Sequence, residues 1–218
     1  MVLGLIGKKV GMTQVFDEEG RAVPVTVVQA GPCVVVQKKT SQKDGYAAVQ
    51  LGMVEPRKPP KATRPLEGHF RTAGVPPTRV LKEFPFTEDA DSPIQPGDQI
   101  LAQNVFAVND KVWVTGRTKG RGFQGVIKRH GFGGGRATHG SMFHRAPGSI
   151  GASAFPSRVF AGMKGPGHMG ARRVTTRNLR VVQLDPDNNL MLLKGAVPGS
   201  RGGYLYISRA GRESPKSE

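Results

Sequence analysis

Cysteine is almost missing from this chain: Cys33 is the only one in 218 residues. Counting alone therefore excludes an intrachain disulfide and a four-cysteine zinc site. An apolar run of about 18 or more residues, the length of a membrane-spanning helix, is also lacking, as is a clear basic amphipathic helix. The opening MVLGLIGKKVGM has neither the charged start nor the small-residue cleavage site of a signal peptide, and its lysines follow its apolar residues. Together these absences predict an intracellular protein. Glycine (30) and proline (17) stop just short of the share that marks wholesale disorder, so part of the chain is expected to fold around a core.

The most informative shortage is of acid. After Asp110 no Asp or Glu occurs until Asp185, and these 74 residues carry 14 Lys/Arg. The whole chain has 32 Lys/Arg against 16 Asp/Glu, a net charge of +16, so the remaining 18 basic and 16 acidic residues nearly cancel. The excess is local, and it calls for a polyanionic partner, nucleic acid or an anionic membrane surface.

Missing carboxylates also bear on enzyme chemistry. Gly120, Gly122 and Gly125 satisfy GxGxxG, but a dinucleotide site wants an acid about 20 residues later for the ribose, and the window has none. GFGGGR (131–136) lacks the GK[ST] of a nucleotide-hydrolase loop. His139 and His144 stand five apart, without HExxH and without a nearby carboxylate to complete a metal shell. Ser149 lies in PGSIG, where Pro147 replaces the first glycine of a nucleophile elbow. A hydrolase reading survives only if an acid distant in sequence folds in. Cys33 precedes three valines and reads as a buried thiol on a strand.

What the window does contain is glycine, with 15 of the 30, four of the five histidines, and Phe123, Phe132, Phe143, Phe155 and Phe160 among its basic residues. A solvated linker accounts for the charge and glycine but has no reason to carry five phenylalanines. Glycines let backbone approach phosphate, arginine forks pair with phosphate, and rings stack on bases, which fits an arm threaded into folded RNA.

On either side the pattern is β-like. VPVTVV (23–28), CVVV (33–36) and YAAVQL (46–51) are short runs separated by turn residues, and DEEG (17–20) is a hairpin turn. Later, residues 181–184 and 190–193 flank DPDNN, a second hairpin, and YLYI (204–207) adds a strand. These runs predict a small barrel split by the basic insertion. Residues 56–77, rich in proline and charge, are expected as a surface excursion with a short helix near 65–73.

Particular strings then matter more than composition: GMTQVF (11–16), KGRGFQG (119–125), KRHGF (128–132), THG (138–140), HRAPGSIG (144–151), GHMG (167–170), RVT (173–175) and KGAVPG (194–199). Together and in this order they closely resemble the bacterial form of the large-subunit ribosomal protein L-three family. The resemblance implies a mainly β fold: a translation-protein type β-barrel interrupted by a long irregular basic loop, with a small mixed α/β excursion. Residues 1–115, including the excursion at about 56–96, would start the barrel, 116–170 would be an rRNA-binding loop, and 171–218 would supply the returning strands and tail. It implies a structural role in the large subunit, as a primary binder of 23S-type rRNA near its 3′ end that nucleates assembly. Its loop would reach towards the peptidyl transferase centre, with ribosomal proteins L-fourteen and L-nineteen as neighbours. No cofactor, metal or catalytic residue is expected, because in this family catalysis belongs to the RNA.

Carried over position by position, the rRNA-facing residues fall on Arg117, Lys119, Arg121, Lys128, Arg129, His130, Arg136, His139, His144, Arg145, Arg158, Lys164, Arg172 and Arg173. The chain departs from the pattern in two places. Ala152 stands directly after PGSIG, where some relatives carry a methylated glutamine, so that modification does not occur here. The following ASAFPSRVFAGMKGPG is less lysine-rich than usual, and Phe155 and Phe160 offer stacking in place of charge.

Overall fold

The computed structural model describes residues 2–55, 61–86 and 94–210. Residues 56–60 and 87–93 of the expected excursion, and the tail from 211 onward, lie outside the described residues. In chain order the elements begin with β1 (Gly4–Phe16), β2 (Ala22–Ala30), β3 (Cys33–Lys39), α1 (Ser41–Asp44), β4 (Ala48–Met53) and α2 (Arg64–Thr72). Then come β5 (Leu81–Pro85), β6 (Gln99–Ile100), β7 (Lys111–Arg117), β8 (Gly122–Gln124) and α3 (Val126–His130). The series closes with β9 (Gly167–Met169), β10 (Arg173–Asp185), β11 (Leu190–Lys194) and β12 (Tyr204–Arg209). No helix among the described residues is long and apolar enough to cross a membrane.

Six strands close into an antiparallel barrel in the order β1, β12, β7, β10, β11, β2 and back to β1. The period-2 alternation of strands explains which side chains fill it. On β7, Val112 and Val114 are fully buried while Lys111 and Arg117 are exposed. Leu5, Val28, Val181, Met191, Leu193, Leu205 and Ile207 complete the same core, each such burial stabilising the fold by about 1.5–3 kcal/mol. Both expected hairpins form. In the first turn the Asp17 carboxylate accepts the backbone N–H of Glu19 at 3.1 Å and of Arg21 at 2.8 Å. In the second, Asp185 accepts the backbone N–H of Asp187 and the side-chain N–H of Asn188 at 2.8 Å.

One assignment differs from the expectation. β3 and β4 do not join the barrel; they pair with β5 and β6 in a separate four-stranded sheet ordered β5, β4, β3, β6. The reason is visible in CVVV, which does not alternate. Cys33 and Val35 pack into the large core, whereas Val34 and Val36 pack with Phe70 of α2 in a second cluster. A strand covered on both faces reads as a continuous apolar run, unlike a barrel strand with one face outward. The helix expected near 65–73 is α2, entered through Pro65 in its first turn, and it covers this sheet with Phe70. Burial holds the Cys33 thiol neutral, its pKa pushed up to about 12.

The chain divides into two compact units. One comprises the residues up to Arg117 and from Arg173 onward; the other is Thr118–Arg172. The first contains the barrel and the four-stranded sheet. The second has its own small framework, a two-stranded pairing of β8 with β9 and the helix α3.

Candidate nucleic-acid interface

The framework of Thr118–Arg172 starts where its two ends meet. The Thr118 N–H donates to the Arg172 carbonyl at 2.9 Å, the Arg172 N–H donates to Thr118 Oγ1 at 3.2 Å, and the Arg121 N–H donates to the Met169 carbonyl at 2.9 Å. Beyond this clasp Gly122, Phe123 and Gln124 lie opposite Met169, His168 and Gly167. The chain then turns into α3, whose Val126 is buried, and the helix stops at Gly131 in the left-handed region, φ 76°. Lys128, Arg129 and His130 fill its last turn, where cations favour the exposed carbonyls.

Next comes the glycine string. A side chain at Gly135 would strike the carbonyl and ring of Phe143 and one at Gly134 the carbonyl of His144, so the 134–135 backbone lies directly against 143–144. The Gly135 N–H donates to the His144 carbonyl at 3.0 Å, and His144 Nδ1 lies 2.9 Å from the Arg136 carbonyl. Here glycine brings two backbone segments together and fixes where Arg136, His144 and Arg145 emerge.

The fourteen sequence-predicted residues separate into three groups. Arg117 and Arg173 belong to the first unit, facing each other across β7 and β10. Lys119, Arg121, Lys128, Arg136, His139, His144, Arg145, Arg158, Lys164 and Arg172 are exposed within Thr118–Arg172. Arg129 and His130 are half-buried and turned inward: Arg129 Nη1 donates to the Gly165 carbonyl at 2.7 Å, and His130 Nε2 lies 3.0 Å from the same oxygen. These two hold the 165–167 backbone to α3 and are structural first. Sequence reasoning treated the whole run as irregular loop and missed α3. The available signal was the trio of basic residues before Gly131, a C-terminal helix signature.

Charge and exposure define what this unit can do. It carries nine Lys/Arg and no acid, and the ion pairs of the described residues all lie in the other unit. Large apolar groups stand in solvent among the cations: Phe155 is 89% exposed, Phe123 75% and Met142 99%. The Arg158 guanidinium lies over the Phe160 ring at 5.6 Å from its centroid. Among the described residues no cluster of three or more His, Cys, Asp or Glu could hold a metal ion. Exposed rings and cations without acids among them, on a glycine-rich frame, have the chemistry that phosphates and unstacked bases require of a partner.

The sequence model of the family described as "Ribosomal protein L3" matches residues 78–190, which span all of this unit. The Large ribosomal subunit protein uL3 of Solibacter usitatus is 52% identical over 209 residues, covering 96% of this chain and 99% of that protein. The chain belongs to the ribosomal protein L3 family. Its similarity is full-length in other L3 proteins too: uL3 of Carboxydothermus hydrogenoformans is 54% identical over 210 residues, 96% of this chain and 98% of that protein. For uL3 of Geobacter sulfurreducens the figures are 51% over 207 residues, 95% and 97%. As an L3 family member the chain is a structural protein of the large ribosomal subunit and not an enzyme.

Proposed function

We propose that this L3 protein is a primary binder of 23S-type rRNA near its 3′ end, that it nucleates large-subunit assembly, and that residues 116–170 form its rRNA-binding loop, reaching towards the peptidyl transferase centre. Arg117, Lys119, Arg121, Lys128, Arg136, His139, His144, Arg145, Arg158, Lys164, Arg172 and Arg173 meet phosphate or sugar, while Arg129 and His130 add contacts from the edge of α3. The protein works in the cytoplasmic ribosome, with ribosomal proteins L-fourteen and L-nineteen as its neighbours. The observation that carries this reading is Thr118–Arg172 itself, nine cations without one acid beside exposed phenylalanines.

Phosphate contacts release counterions, so affinity for an rRNA transcript should fall with salt by a log-log slope of roughly 0.7–0.9 per contact. A flat salt response of the full chain would sink the reading. Reconstitution locates the partners: proximity crosslinks from assembled large subunits should reach the two named proteins, and crosslinks confined to other proteins would reject that assignment.

A further inference from the structure

A second cationic face lies on the barrel, outside Thr118–Arg172. Because Val112 and Val114 of β7 are buried in the core, Lys111, Trp113, Thr115 and Arg117 alternate onto the opposite side, where Lys111 and Arg117 are exposed, Trp113 is half-buried and Thr115 is covered by its neighbours. Their cross-strand partners share that side: Arg180 opposite Lys111, Thr175 opposite Thr115 and Arg173 opposite Arg117 on β10, with Ser208 opposite Trp113 and Tyr206 opposite Thr115 on β12. None of these positions is acidic. Lys111 and Arg180 are both exposed, and like charges directly opposite one another destabilise a free sheet. A polyanion laid across the strands removes that cost.

At the centre of this face β10 is irregular. Its register slips between Thr176 and Leu179, and Asn178 sits in the left-handed region at φ 56°. Bulges of this kind re-aim side chains. Here Asn178 Oδ1 accepts the indole N–H of Trp113 at 3.2 Å, and the Arg177 guanidinium lies 5.4 Å from the Trp113 ring centroid. The indole is thus oriented by one neighbour and layered with a planar cation by the next. Indole and guanidinium planes are the surfaces on which unstacked RNA bases settle.

We propose that Trp113 and Arg177, flanked by Lys111 and Arg180, form a second RNA site on the barrel that takes an unstacked base and its adjoining phosphates. It rests on the reading that the protein binds rRNA, and it differs from the Thr118–Arg172 surface in having a framed stacking platform.

Trp113 is the only tryptophan in the chain, so emission excited at the red edge, where tyrosine does not absorb, reports this site alone. The full chain is titrated with a large-subunit rRNA transcript while a mobility shift measures binding independently. Emission should change with the same midpoint as the shift. Trp113→Ala should weaken binding by about tenfold with the salt slope unchanged, since a stacked base contributes without displacing counterions. Trp113→Phe should recover most of that loss. Arg177→Ala with Arg180→Ala, both exposed and independent of core packing, should also lower affinity and suppress the emission change. If the transcript shifts while emission stays constant and the double arginine variant binds within twofold of the parent, this site is refuted and the general rRNA-binding reading stands. If the transcript does not shift at all, both fall.

Discussion

At the scale of single residues, two kinds of polar group do different work. Glu55 joins separate parts of the first unit: Lys8 Nζ lies 2.8 Å away, Tyr204 Oη donates at 3.1 Å and Arg79 Nε lies 3.7 Å away. The Lys8 hydrogen bond leads the causes that hold the Glu55 carboxyl below its usual value of 4.5. A carboxyl with a lowered folded pKa contributes stability that is present above its unfolded pKa and lost as pH falls through the folded one. Glu55→Gln should therefore cost about 1 kcal/mol at neutral pH and flatten the loss of stability below about pH 4.5 in urea titrations at several pH values. Arg129 illustrates the second kind, a cation used inside its own unit. Arg129→Ala should raise hydrogen exchange across residues 122–131 and 163–169, whereas Arg121→Ala should weaken rRNA binding several-fold and leave exchange unchanged. Equal exchange in the two variants would contradict the structural assignment of Arg129. Residue by residue, the sequence cannot distinguish them, because Arg121 and Arg129 differ only in which carbonyl lies within reach after folding.

At the scale of elements, strands bounded by turn chemistry were legible and their partners were not. VPVTVV, the two runs around DPDNN and YLYI all form strands where local alternation and turn residues predict them. The unbroken CVVV run carries a local sign that β3 is covered on both faces, but which strands it joins is a long-range decision, so its pairing with β4 and β6 was not legible locally. α3 has five residues, too short to display helical periodicity. The pairing of β3 with α2 also makes a sharp stability test. Phe70 is 3% exposed and closes the small cluster with Val34 and Val36. Phe70→Ala should destabilise the first unit by about 3 kcal/mol in chemical denaturation, and a loss under 1 kcal/mol would mean that α2 is dispensable to this sheet.

At the scale of the whole molecule, local acid depletion was the strongest signal in the sequence, and it falls on a segment that is a compact unit of its own. Its neighbours in the chain, Arg117 and Arg173, are cross-strand partners on β7 and β10. Replacing Thr118–Arg172 with a short glycine-rich turn should therefore preserve one cooperative melting transition for the first unit, because the ends need not be drawn together. The same variant should lose most of the salt-dependent rRNA affinity. A broad, non-cooperative melt would show that the barrel depends on the segment inserted between its strands in the sequence.

The barrel is also closed by the pairing of its first strand with its last, Gly4 opposite Ser208 through Lys8 opposite Tyr204. During synthesis β1 emerges first and must wait for almost the entire chain before its second edge is covered, since such non-local pairing forms late. The acid-free segment is made before that closure. The order of translation therefore completes the cationic segment while the barrel is still open.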